Sequence, residues 1–170
     1  MNNLPRFFRY RSAVIGFGLV ALYLIVALFA TVLAPYSPIE QRAPDRLLEP
    51  GAKYLLGTDE FGRDILSRLM HGATNSLRIA LLAVGLSTLL GTTIGMLSGY
   101  AGGIADNLIM RVMDLFFAFP AILLALSIVA ALGPGSNNTI LAIAVVYTPI
   151  FARVARGPVL AIKEMEFVSA

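Results

Sequence analysis

Residues 114–153 read DLFFAFPAILLALSIVAALGPGSNNTILAIAVVYTPIFAR. Between the charges of Asp114 and Arg153 lie 38 uncharged residues, 115–152. A helix that crosses roughly 30 Å of hydrocarbon needs about 20 apolar residues. This run is too long for one crossing, and Gly133-Pro134-Gly135-Ser136-Asn137-Asn138 cuts it with a dense cluster of turn formers. The pattern predicts a hairpin of two spans, one reaching back to about Leu108 and ending at Leu132, the other starting near Thr139. The second must run past Arg153 to about Leu160, because the 14 residues 139–152 make only about 21 Å of helix.

Working outward, two more runs have the same character. Residues 79–105, between Arg78 and Asp106, hold 27 uncharged residues, and residues 12–39, between Arg11 and Glu40, hold 28. Each supplies one span, near 79–100 and 13–34. The expected fold is therefore all-α and integral to the membrane, a polytopic helical bundle with four spans in this chain. Its divisions are a leading segment 1–11, spans 12–34, 77–100, 108–132 and 139–160, an intervening segment 35–76, and a final segment 161–170. A cleaved leader is the rival reading of the first span, but an apolar run of about 22 residues exceeds the 7–15 of a typical leader core.

Composition excludes several function classes. Of the 170 residues 58% are hydrophobic and only 14% charged, against about 25% charged in soluble domains, so an ordinary soluble fold lacks the polar surface it needs. Cysteine is absent and histidine occurs once, at His71. That leaves no disulfide, no thiolate site and almost no material for histidine catalysis or a multi-histidine metal site. The net charge of +3 does not suggest a nucleic-acid partner. No GxxxxGK[ST] phosphate loop occurs. No catalytic, metal or cofactor residue is assigned, and His71 is expected to border a surface helix.

Orientation follows from the basic residues. Arg6, Arg9 and Arg11 cluster before the first span with no acid among them, which favours a cytoplasmic N-terminus. With four spans, Arg153, Arg156 and Lys163 then also lie inside, and segment 35–76 lies outside. In that outer segment Pro35 and Pro38 stop the first helix, and Pro44 and Pro50 are expected to keep the next stretch extended. Residues 59–72 place Phe61, Ile65, Leu66, Leu69 and Met70 on one helical face and Asp59, Glu60, Arg63, Asp64, Ser67 and Arg68 on the other. This predicts an amphipathic helix on the outer membrane surface or on neighbouring spans.

Within the spans, Ala83, Ser87, Gly91, Gly95 and Gly99 recur every four residues as a small-residue stripe. Such a stripe lets two helices approach closely, and Ser87, Gly91, Gly95 and Gly99 are the expected packing residues. Arg111 and Asp114 are spaced to pair on one helix near the membrane interface. Pro120 and Pro149 fall inside spans and are possible hinges. Past Pro158 the chain is expected to leave the membrane as a short amphipathic helix, with Leu160, Ile162, Phe167 and Val168 apolar and Lys163, Glu164 and Glu166 polar.

Three stretches resemble one family. LGTDEFGRDILSRLMHGATNSL at 56–77 is similar to the LGTDxxGRDxxSRxxxGxxxSL signature of the peptide and nickel branch of binding-protein-dependent ABC importer permeases, in its second-permease, C-type subunit. MRVMDLFFAFPAILLAL at 110–126 resembles that family's third span, with Asp114 and Pro120 in register. Residues 152–170 resemble ARxxRxxxLxxKxxEYVxAA, which leads into the cytoplasmic coupling loop called the EAA loop. The resemblance implies a six-span type I permease with both termini inside, in a bacterial or archaeal inner membrane. It implies a second permease subunit, two cytoplasmic ATPases and an extracytoplasmic substrate-binding protein as partners, and dipeptides, oligopeptides or nickel chelates as cargo. ATP hydrolysis would fall to the partners. Lys163, Glu164, Glu166, Phe167, Val168, Ser169 and Ala170 are the expected ATPase-coupling residues. Ser169 stands where many relatives carry the loop's glutamate, and the chain looks truncated within that loop. The alternative classes are a secondary transporter, which would favour internal repeats and a midplane ion site, and a small four-span assembly protein.

Overall fold

The structure is a computed structural model that describes residues 10–165. Among them it contains five α-helices: α1 (Arg11–Leu33), α2 (Ile65–Ala101), α3 (Gly103–Phe117), α4 (Ala121–Leu132) and α5 (Ser136–Lys163), with one short 3-10 turn at Ala43–Asp45. Two compact units divide the chain between Arg78 and Ile79. By length and composition α1, α2 and α5 can each cross a membrane, and α3 with α4 is a further candidate crossing, bent by 91°. The fold is the all-helical polytopic one that the charge spacing implies.

In the first unit α1 is apolar all round and buries only Ala27 and Ala30. These small residues admit the start of α2, where the Thr74 hydroxyl donates to the Ala27 carbonyl and Tyr23 donates to the Ala73 carbonyl at 3.3 Å. The segment after α1 is not extended. Pro44 sits inside the 3-10 turn, and the chain folds back on itself. The Arg42 amide donates to the Phe61 carbonyl, Leu47 to Asp59 and Thr58 to Leu48, at 3.0–3.2 Å.

The expected amphipathic helix at 59–72 is corrected here. Residues 59–64 form a tight loop and helix begins only at Ile65, continuing for 37 residues without a break into the second span. Two physical causes fix that start. Gly57 and Gly62 adopt left-handed backbone, at φ +75° and +73°, and a Cβ on Gly62 would stand 1.9 Å from the Arg42 carbonyl oxygen, so helix cannot pass through. Asp64 then caps α2, its carboxylate accepting the Ser67 amide at 2.8 Å and the Ser67 hydroxyl at 2.6 Å. Within the loop, Asp59 accepts the amides of Phe61 and Arg63 and the guanidinium groups of Arg63 and Arg68. Burial pushes the Asp59 carboxyl up, but these donors outweigh it and hold it at about 2. His71 lies inside α2, with Nδ1 3.0 Å from the Ser67 carbonyl.

In the second unit the expected continuous third span is broken. α3 ends at Phe117, and Pro120, at φ −56° and ψ 126°, stands at the N-cap of α4. Proline has no N–H to give and disfavours helix in the residue before it, which accounts for a break here. α5 is longer than expected. It starts at Ser136 and runs through both Pro149 and Pro158 to Lys163, so residues 158–163 continue α5 rather than form a separate helix.

α2 and α5 run parallel. A Cβ built on Gly91 would lie 2.5 Å from the Thr148 carbonyl oxygen, on Gly95 2.1 Å from that of Ala152, and on Gly99 3.2 Å from that of Arg156. The contacts advance along both helices in the same sense. Two parallel helices that both cross a bilayer require the chain between them to return once, and that chain is α3 with α4. The bent pair, a candidate crossing broken by 91°, is the segment available for that return.

Candidate coupling site at the end of helix α5

At the C-terminal end of α2 the chain turns through Gly102 and Gly103, both left-handed at φ +67° and +57°. Glycine meets no Cβ penalty there, so α3 starts at once, with Asp106 in its first turn. An acid is favoured at a helix N-terminus, but Asp106 is also only 4% exposed, and a buried carboxylate needs partners. It has them from two other helices. Ser98 of α2 donates at 2.6 Å and Arg156 of α5 donates through Nε at 2.6 Å and again through Nη2. Two parallel N–H bonds to one carboxylate also fix orientation.

Two further contacts join α5 to the same corner. Lys163 donates to the Tyr100 carbonyl at 2.6 Å, placing a cation on the last turn of α2, where the helix dipole favours one. Arg153 donates to Asp114 and lies over the Phe117 ring, 4.3 Å from its centre. The basic residues of α5 thus hold α3 near both its ends and α2 at its last turn.

The structure redirects the expected Arg111–Asp114 pair. Asp114 accepts from Arg153, and no ion pair to Arg111 occurs among the described residues. The partner on α5 comes within reach because the hairpin brings the two helices together, which spacing along α3 alone does not show. The stripe residues Gly91, Gly95 and Gly99 lie against α5, and Ser87 is buried with its hydroxyl donating to the Val84 carbonyl at 3.0 Å. Pro149 is fully buried inside α5. Lys163 and Glu164 stand at the end of α5; Glu166, Phe167, Val168, Ser169 and Ala170 lie outside the described residues. Asp106 and Ser98 were not singled out from the sequence. The one available signal was that Asp106 ends a run of 27 uncharged residues and is followed by a helical pattern.

Residues 91–170 match the family described as binding-protein-dependent transport system inner membrane component. Residues 4–50 match the N-terminal TM domain of oligopeptide transport permease C. The chain is 46% identical over 171 residues to the di/tripeptide transport system permease protein DppC of Pseudomonas aeruginosa, covering 96% of this chain and 56% of that protein. It is 42% identical over 160 residues to the dipeptide transport system permease protein DppC of Alkalihalophilus pseudofirmus, covering 94% and 53%. It is 40% identical over 166 residues to the glutathione transport system permease protein GsiD of Pectobacterium atrosepticum, covering 97% and 55%. The chain spans about half the length of the curated relatives it matches. Those relatives are named as transport permeases, not enzymes.

Proposed function

The chain belongs to the family of binding-protein-dependent transport system inner membrane components, and on that premise we propose that it serves as one of two permease subunits of an ATP-driven peptide importer. In this reading it lines half of a translocation path. A substrate-binding protein delivers peptide at the outer face, where residues 35–64 lie, and two cytoplasmic ATPases act at the inner face. The N-terminus is cytoplasmic, in a bacterial or archaeal inner membrane. The names of the relatives cited above, which are permeases for dipeptides, tripeptides and glutathione, favour peptide over nickel-chelate cargo.

The observation that carries the reading is the clustering of charge at the end of α5. Arg153, Arg156 and Lys163 hold Asp114 and Asp106 of α3 and the last turn of α2, and all three basic residues lie in the stretch 152–170 that resembles the lead into a coupling loop. A secondary transporter would instead favour ionisable groups near the middle of its spans.

The test is reconstitution. The subunit at the full length of its relatives, with partner permease, ATPases and binding protein, should import labelled dipeptide only with ATP. Phe167→Asp should reduce that uptake at least tenfold while membrane insertion persists, because a charge in the apolar face of an amphipathic segment prevents its seating in a partner groove. ATP-independent uptake driven by an ion gradient, or full uptake by the variant, would overturn the reading.

A further inference from the structure

Arg156 and Arg153 lie three residues apart on α5, about 4.5 Å of helix rise. The acids they hold, Asp106 and Asp114, lie eight apart on α3, about 12 Å of rise. Two neighbouring anchors on one helix therefore grip both ends of another. The grips differ in strength. Asp106 is 4% exposed and receives Ser98 and two nitrogens of Arg156, whereas the side chains of Asp114 and Arg153 are more than half exposed. Breaking the first leaves a charge buried without its partner, which is costly. Breaking the second returns two charges to solvent at little cost.

We propose that Asp106 is a positioning residue for coupling, which makes α3 and the end of α2 move as one body with α5 when the segment after Lys163 is displaced. This rests on the importer reading above. Displacement of α5 reaches α2 through Lys163 and the Tyr100 carbonyl, and it reaches α3 through Arg156 and Asp106. Ser98 sets the carboxylate from the α2 side, so the three helix ends share one buried group. The 91° break between α3 and α4 is where that body ends.

The experiment replaces the ion pair by a removable link. Asp106→Cys and Arg156→Cys are introduced together into the full-length subunit, assembled with its partners in vesicles, and joined by a short reducible bis-thiol reagent. Uptake, basal ATP hydrolysis and hydrolysis stimulated by loaded binding protein are measured before linking, after linking and after reduction. The expected result is normal assembly and basal hydrolysis throughout. Uptake and stimulation should fall at least tenfold in the unlinked variant, return to at least half of the wild-type level on linking, and fall again on reduction. The proposal is overturned if the unlinked variant imports like the wild type, if linking fails to restore uptake, or if lost uptake tracks lost copurification with the partner subunits. Failure of the wild-type subunit to import peptide overturns the importer reading itself, and with it this proposal; that outcome is read from the control alone.

Discussion

Arg153 holds Asp114 from across a hairpin, 39 residues away in sequence, and lays its guanidinium 4.3 Å over the Phe117 ring in doing so. One side chain thereby makes an ion pair and a cation–π contact at the last turn of α3. Both groups of the ion pair are more than half exposed, so the pair is worth at most about 1 kcal/mol and the ring contact about as much. Arg153→Ala should lower the stability of the detergent-solubilised protein by about 1 kcal/mol, read as a fall in Tm. Arg111→Ala should leave Tm unchanged. Equal shifts would return Asp114 to its neighbour.

The α2–α5 contact has no room for a side chain at Gly95, where a Cβ would stand 2.1 Å from the Ala152 carbonyl oxygen. Overpacking of a tight contact costs about 1–3 kcal/mol or more. Gly95→Leu should therefore exceed that range and abolish the folded yield in detergent. Leu97→Phe, at a side chain 64% exposed, should leave yield and Tm close to those of the unaltered protein. Similar yields from the two variants would show that α2 and α5 do not meet along this face.

Asp59 gives the segment between α1 and α2 an acid-sensitive fastening. Its carboxyl is held at about 2, below the ordinary 3.8, so the folded segment favours the ionised form. For a depressed carboxylate the stabilisation is fully present above about pH 4 and is lost as pH falls through about 2. The chain contains no tryptophan, so Leu56→Trp supplies a single emitter beside the loop. Its emission should be constant from about pH 7 to 5 and shift to the red as pH falls through about 4 toward 2. With Asp59→Asn added, the red-shifted spectrum should already be present at neutral pH. Identical titrations with and without Asp59→Asn would remove Asp59 from this role.

The break at Pro120 can be measured directly. Leu108 on α3 and Leu126 on α4 are both largely exposed and accept spin labels. Eighteen residues of straight helix would separate their backbones by about 27 Å, whereas a near right-angle bend shortens this to about 20 Å. The protein should show the shorter distance, and Pro120→Ala should lengthen it as the lost N–H returns. An unchanged distance would assign the bend to packing and not to the proline.

The proposed orientation is checked by labelling. Ser37→Cys, in the exposed stretch after α1, should react with an impermeant thiol reagent added outside intact cells. Glu164→Cys, at the end of α5, should react only after the inner face is opened. Reaction of both from the same side would overturn an arrangement with one crossing contributed by α3 and α4.

What the sequence disclosed and what it withheld differ in physical kind. Spans follow from the spacing of charges, because burying an unpaired charge in hydrocarbon is costly wherever the chain goes; hence α1, the core of α2 and α5 were legible from Arg11, Glu40, Arg78, Asp106 and Arg153. The amphipathic helix expected at 59–72 instead starts at Ile65 and runs on into the span expected from 77, because the apolar period through Phe61 and Ile65 is helical, while the backbone is decided by Gly62 against the Arg42 carbonyl and by the Asp64 cap. Those are contacts between residues up to 20 positions apart. The break at Pro120 was legible as a proline within a span but not as a bend of 91°. The Asp106 cluster was hidden for a deeper reason. Ser98, Asp106 and Arg156 meet only because α2 and α5 run parallel, and no periodicity along one helix reveals the direction of another.

The glycine contacts of α2 carry one more consequence. Backbone packed on backbone has no rotamers, so this seam cannot adapt by repacking side chains as an ordinary helix pair does when one helix shears past the other. Any sliding would drive Gly91 or Gly95 into the next peptide group. The torsional freedom of this unit therefore lies elsewhere, at the Pro120 break and at the left-handed Gly133 and Gly135. These two joints bracket α4, a 12-residue helix that lies against α5 without burying a residue, so any change in the angle between α3 and α4 falls on them and not on the glycine seam.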